Sequence, residues 1–262
     1  MKTLIIFAIF YTFVPIANAQ QEELSLKELN LKGKVKEITE YLYIGEINQL
    51  NVDTLEQTGE SITKFDRIGN KIETANYDKY GVLRNKHFYN YKNDTVVIIS
   101  NYDADDKLKY QHKYVFKYNI DGSKIEFEEY NITVSKLLSK FVYKYDKNGN
   151  MVEKDDYSPG IDPPIRDIFL LNKKNQIIER DLYINGGNQF YKSIMTYDQL
   201  GNQIKKELYN IDGKLDMINS ITYNYIDKYE NWLSQIYESK GNNKYRGDYI
   251  LKTVTKRVIK YY

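Results

Sequence analysis

The sequence predicts an all-β chain built from repeated antiparallel hairpins. Three observations carry that expectation: a turn motif that recurs at a nearly fixed spacing, segments between turns that alternate with period two, and a composition suited to strands. Of the 262 residues 27 are Tyr, against one Trp and no Cys. Tyr, Val, Ile, Phe and Thr suit pleated, half-buried surfaces. Ala is scarce and Leu modest, so the raw material of a helical bundle is missing.

The turn comes first. Asp66-Arg67-Ile68-Gly69-Asn70 recurs as Asp146-Lys147-Asn148-Gly149-Asn150 and as Asp198-Gln199-Leu200-Gly201-Asn202. Looser copies end in Gly122-Ser123, Asn175-Gln176 and Glu230-Asn231. From Gly122 onward the aligned positions are 122, 149, 175, 201 and 230, a period of about 26 to 29 residues and inside the window of repeat architectures. An Asp or Asn that opens such a turn bonds the backbone two residues on, and Gly supplies the positive φ that closes it. Other columns stay in step. Ile72, Ile125, Val152, Ile178, Ile204 and Leu233 lie two residues past the turn, and Tyr77, Tyr130, Tyr157, Tyr183 and Tyr209 lie seven past it. These tyrosines form a repeat ladder, expected to pack from one unit to the next.

Each unit divides again. Tyr77-Asp78-Lys79-Tyr80-Gly81 and Tyr209-Asn210-Ile211-Asp212-Gly213 repeat the turn about 12 residues later. The result is a strand of about eight residues and a turn of about four, over and over. Between turns Phe141, Tyr143 and Tyr145 share one face while Val142 and Lys144 take the other, as a strand requires. Residues 20–30 read as an N-terminal tail and 31–262 as one hairpin-repeat domain. Asn48 to Ser61 reads as a polar loop. Ser158 to Pro164, with three of the four prolines, reads as a bulge or protruding loop. Val254, Lys256, Val258 and Lys260 read as an edge strand whose lysines prevent pairing with another molecule. About 14 strands at about 4.8 Å spacing give a ribbon of roughly 65 Å. The expected architecture is a long, twisted, curling single sheet, with a closed barrel as the alternative.

Residues 1–19 read as a secretory signal peptide: Lys2, an apolar run from Leu4 to Ile16, then Ala17-Asn18-Ala19. The run is short for a membrane span, which takes about 20 apolar residues. No Cys follows it, so the mature chain is not expected to be a lipoprotein. No later stretch reads as a transmembrane helix. The expected location is periplasmic or extracellular. The formal charge is +2, with Lys and Glu intermixed, which gives nucleic acid no basic stripe to bind.

Little in the sequence carries chemistry. His87 and His112 are the only histidines and fall about one repeat apart, so a metal site or two polar strand residues are the alternatives, the second being favoured. Asp146-x-Asn148-Gly149-Asn150 has part of a calcium loop, yet loop position twelve is Tyr157 where a bidentate Glu is needed, so a turn is the better reading. Glu128-Glu129 and Asp155-Asp156 are adjacent pairs, whose members point to opposite faces of a sheet. No nucleophile has an evident base. The expectation is a protein that is not an enzyme and has no cofactor and no metal.

Tyr145-Asp146-x-x-Gly149-Asn150, Tyr197-Asp198-x-x-Gly201-Asn202 and Tyr77-Asp78-x-x-Gly81 resemble the YD repeats of the Rhs-type family. The opening Leu31-Lys32-Gly33-Lys34-Val35-Lys36 and the late Glu230-Asn231-Trp232 resemble small exported YD-repeat proteins of Bacteroidetes. The resemblance covers most of the mature chain and implies a fold, since the motif is the turn itself; function separates easily from fold. In large Rhs proteins such repeats form a shell around a C-terminal toxin, and the expectation here is of repeats without such a toxin. The expected function is an interaction module of the cell envelope with a protein or glycan ligand held on a Tyr-rich face. Alternatives are a purely structural envelope protein or a periplasmic toxin-neutralising protein.

Overall fold

The computed structural model describes residues 24–45, 55–184, 186–243 and 247–262. The expected signal peptide, residues 20–23 of the expected tail and most of the expected Asn48–Ser61 loop lie outside them. Sixteen strands follow one another: β1 Val35–Gly45, β2 Glu56–Phe65, β3 Lys71–Asp78, β4 Leu83–Asn93, β5 Val96–Asp103, β6 Leu108–Tyr118, β7 Lys124–Asn131 and β8 Lys136–Tyr145. The second half is β9 Met151–Asp156, β10 Ile165–Leu171, β11 Ile177–Ile184, β12 Asn188–Tyr197, β13 Gln203–Tyr209, β14 Leu215–Ile226, β15 Trp232–Asn243 and β16 Gly247–Tyr261. Each strand pairs antiparallel with the next, and β1 pairs with β16, so the sheet is a closed barrel.

The expected open, curling sheet is therefore corrected to a closed 16-strand barrel. The edge reading of the last strand misled. β16 bonds β15 on one side and β1 on the other, in register from Ile38↔Ile259 to Gly45↔Lys252. Its lysines do not guard an edge; they knit the seam. Lys260 reaches Glu37 at 2.6 Å, and Lys256 lies 5.1 Å from the ring centre of Tyr43. Arg257 adds an ion pair with Glu40 at 2.8 Å and stacks 3.4 Å from the Trp232 ring centre. Residues 56–61, expected in a loop, belong to β2, whereas Ser158–Pro164 does connect β9 to β10.

The hairpins follow from the turn chemistry. Asp146 N–H donates to the Asn150 carbonyl (2.9 Å) and Gly149 N–H to the Asp146 carbonyl (3.1 Å), leaving three residues in the loop. That is a type I turn closed by a left-handed residue, and Gly149 has φ 80°. At the same position in the looser copies Asn175 (61°) and Glu230 (66°) hold the left-handed conformation without glycine. The Asp146 carboxylate accepts from Asn148 N–H (2.8 Å), Asn150 N–H (2.9 Å) and the Asn150 side-chain amide (3.0 Å). Asp66 and Asp198 hold Asn70 and Asn202 in the same way. These bonds hold the Asp146 carboxyl below its usual range, the Asn150 side chain contributing most.

Every second turn lies at the same end of the barrel. The Asp66, Asn119, Asp146, Asn172, Asp198 and Asp227 turns close one end, and the Asp78, Asp103 and Asn210 turns close the other. The first end is plugged. Leu24 packs among Tyr89, Val97, Tyr114, Phe116, Phe127, Phe141 and Tyr143. Leu26, Leu29 and Leu31 pack on Val35, Ile38 and Phe65. Lys71 N–H donates to the Leu24 carbonyl at 2.7 Å, and Glu28 takes Lys124 at 3.2 Å. From Leu24 onward the expected tail is thus built into the fold.

Candidate functional site

Strand alternation separates two faces. Val97, Ile99 and Asn101 on β5, Tyr114 and Phe116 on β6, Phe141 and Tyr143 on β8 and Asp167 and Phe169 on β10 are all buried. They share the concave face with Leu24, so that face is the inside. Lys64, Lys117, Lys144, Arg166, Lys192 and Lys205 alternate with it and stand outside, partnered by acidic neighbours. The outer pairs include Lys64–Glu73 (3.0 Å), Lys144–Glu153 (2.5 Å), Arg166–Asp155 (3.0 Å), Lys192–Glu179 (2.7 Å) and Lys117–Glu126. The more exposed of these pairs add about 0–1 kcal/mol each, whereas Asp155 is 1% exposed beneath Arg166. Together the pairs make much of the outer wall strongly charged.

The inward tyrosines at the plugged end explain the Tyr of the motif. The ladder between β7 and β8 ends at Glu126↔Val142, and beyond it the Tyr145 hydroxyl donates to the Lys124 carbonyl. The same device joins Tyr91 to Lys71 (3.0 Å), Tyr197 to Ile177 (2.7 Å) and Tyr223 to Gln203 (3.1 Å). Each hydroxyl satisfies a carbonyl where two hairpins splay apart. Burial pushes the Tyr197 hydroxyl up, and pushes that of Tyr223 up to about 12, so they remain protonated donors.

The ladder tyrosines go elsewhere. Tyr77, Tyr130, Tyr183 and Tyr209 end β3, β7, β11 and β13 at the opposite rim, and Tyr157 follows β9. All five are half-buried or exposed, none is core, and Tyr157 is 43% exposed. By alternation the four on strands face outward: Glu129 beside Tyr130 points in, where it meets His112 at 2.7 Å and Ser139 at 3.1 Å. Between Tyr77 and Tyr102, the outward residue at the end of β5, stands Phe88, whose ring packs edge-on to Tyr102 at 5.6 Å. The rim thus wears an aromatic collar on its outside. Next to Tyr209 a shallow outer cavity of about 190 Å³ is lined by Gln189, Lys192, Ile194, Asn210 and Ile211.

The turn residues Asp66, Gly69, Asn70, Gly122, Asp146, Gly149, Asn150, Asp198, Gly201 and Asn202 are brought to one end, where they shape turns. The Asp carboxylates spend their oxygens on turn donors. His87 and His112 both face inward with β5 between them, His87 opposite Asn101 and His112 opposite Ile99. Among the described residues no group of three or more His, Cys, Asp or Glu gathers to hold a metal. The adjacent carboxylates split as expected. Glu128 faces out to Lys140 (2.9 Å) and Glu129 in; Asp155 faces out to Arg166 and Asp156 in.

Sequence reasoning missed a set of charged residues on the inside. Lys154, Asp156, Asp167, Arg180 and Lys206 are inward residues of β9, β10, β11 and β13. Arg180 grips Asp167 through two bonds of 2.7 and 3.0 Å. Lys154 is 6% exposed and sits 4.1 Å from the Phe141 ring centre, an attractive cation–π contact. Burial pushes its ammonium down, against the pull of Asp167. The signal was present in the strand alternation: Lys154 continues the Asp156 face and Lys206 is flanked by Lys205, so one of two adjacent lysines has to turn inward.

No protein-family model and no curated protein matches the chain. Among solved structures it is similar to a porin-like protein from Bacteroides uniformis, with a TM-score of 0.57 at 9% identity over 87% of this chain and 98% of that one. At that identity the likeness is one of fold. The YD resemblance meets a counterpart in part: TcdB2-TccC3, a YD-repeat toxin shell, aligns over 88% of this chain with a TM-score of 0.32 and 11% identity. This chain spans only 16% of that one, and a likeness so loose carries no argument.

Proposed function

We propose that the chain is an exported, non-catalytic, water-facing β-barrel of the cell envelope that binds a glycan or protein at its collared rim. The observation that carries this is the outer cavity beside Tyr209, where an aromatic face stands next to Gln189, Lys192 and Asn210. Tyr offers a flat apolar surface and a polar tip with two χ angles to fix. The collar repeats that offer around the rim, at Tyr77, Tyr130, Tyr157 and Tyr183. A pull-down from envelope extract together with a glycan array tests the reading. Wild type should capture a ligand that Tyr209→Ser and Lys192→Ser lose, with unchanged melting of both variants. Equal capture by all three would put the site elsewhere.

The similarity to a porin-like fold raises a second reading, a lipid-spanning pore. The outer wall argues against it. In membrane barrels the outward band is apolar over about 25 Å, and Lys or Arg near the midplane costs about 2–4 kcal/mol each. Here Lys113, Glu128, Lys140, Glu179 and Lys192 lie in mid-strand on the outside, while Phe116, Phe127, Phe141 and Tyr143 line the inside.

A further inference from the structure

We propose that Lys206 and Arg180 hold a compact monoanion, a halide or the carboxylate of a very small acid, in an inward-facing cavity between β11 and β13. The cavity measures about 40 Å³ and is lined by Arg180 and Lys206 together with Phe169, Met195 and Tyr197. A site for one water needs about 10–15 Å³, so the space suits one small anion better than sulfate or phosphate with their hydration.

Charge balance points the same way. Lys206 is 7% exposed and has no hydrogen-bond or ion-pair partner among the described residues. The nearest carboxylate, Asp167, is already held by both bonds from Arg180. Around Lys206, the two cations Lys206 and Arg180 thus face the single carboxylate of Asp167, a local excess of one positive charge. An unpaired buried ammonium is costly unless it is discharged or paired. Phe169 and Met195 line the cavity with apolar surface, which strengthens the attraction of the Lys206 ammonium for an anion. The Tyr197 hydroxyl is committed to the Ile177 carbonyl.

The anion-free state has a pH signature. Burial first, then Arg180, pushes the Lys206 ammonium down to about 8, with Asp167 pulling the other way. Those two are the charged groups that face it; β12 and β14 present Met195 and Asn219, which do not titrate, and burial holds Tyr197 protonated. The folded value lies below the unfolded one. The folded state therefore carries the full cost of the charge below pH 8 and recovers it as pH rises towards the ordinary lysine range of about 10.4. A bound anion offsets that cost only while Lys206 is charged.

The test is the melting temperature of the mature chain in chloride, bromide or formate against sulfate, titrated at constant ionic strength. The expected result is a saturable rise of several degrees at pH 7 with the monoanions and none with sulfate. The rise should vanish at about pH 10, near the lysine value, and in Lys206→Met. Chloride and bromide acting without formate identify a halide site; formate acting alone identifies a carboxylate site. Identical melting in all salts, or a rise that survives in Lys206→Met, overturns the proposal. Should Lys206→Met not fold, ³⁵Cl NMR line broadening by the wild-type chain, reversed by bromide or formate, decides in its place, and its absence overturns the proposal.

Discussion

At the plugged end Tyr91, Tyr145, Tyr197 and Tyr223 point inward and spend their hydroxyls on backbone carbonyls. At the opposite rim Tyr77 and Tyr209 lead into turns of the same kind, yet they point outward, as do Tyr130 and Tyr183. One inserted residue makes the difference. Tyr197 pairs with Gln203, but Thr196 pairs with Lys205, so Ile204 is extra. In an antiparallel pair such a bulge exchanges the faces of everything beyond it. Without it Tyr209 would share the face of Gln203; with it, Lys206 and Leu208 take the inside and Tyr209 the outside. Ile72, Ile125, Val152 and Ile178 occupy the same extra position in their hairpins. At five of its six positions the apolar column two residues past the turn is thus a column of bulges, Leu233 keeping β14 and β15 in register, and it divides a structural end from a presenting end.

The largest test of that division is to reopen the barrel. Deleting residues 253–262 removes most of β16 and exposes the ladders of β1 and β15. Loss of cooperative melting and aggregation on size-exclusion chromatography are expected, because an unpaired edge templates further pairing. Next comes the core of the plugged end: Phe127, 0% exposed and stacked on Phe141 at 5.8 Å. Phe127→Ala should cost about 3–5 kcal/mol in chemical denaturation, and a loss below about 1 kcal/mol, the range of a surface change, would mean that this end is not the core.

Two smaller substitutions sharpen the contrast. Tyr197→Phe leaves the Ile177 carbonyl without its donor and should cost about 1–3 kcal/mol. The matched Tyr209→Phe should stay within about 0.5 kcal/mol. Equal effects would dissolve the distinction between the two ends. Gly149→Val should cost on the order of 1–3 kcal/mol from backbone strain alone, since a Cβ there would meet nothing within 4 Å. Gly149→Asn should cost less, because Asn175 already adopts this conformation at the equivalent turn. Equal melting of the Val and Asn variants would contradict the left-handed requirement.

The turns, the period and the strand alternation were legible because each is a local matter of Asp, Gly and Asn chemistry. Closure was not. It depends on β1 meeting β16, with Glu37 and Lys260 on the two sides of the seam, and on β16 the lysines of an outward face read the same as those of an edge. The tyrosine ladder was legible as a column but not as a face, since nothing local announces which residue after the turn will bulge. The buried charges were missed for the same reason: Lys205 and Lys206 exchange roles with a shift of one residue.

The central claim is the proposed one, that the barrel faces water: its outer wall carries paired charges in mid-strand, while Phe127, Phe141 and Tyr143 pack inside. Flotation of the detergent-free mature chain with preformed phospholipid vesicles in a density gradient tests it most directly. The account expects the chain to be monodisperse before mixing and to stay at the bottom of the gradient, away from the vesicles. A chain that needs detergent to remain in solution, or that floats with the vesicles and resists alkaline extraction, would contradict it.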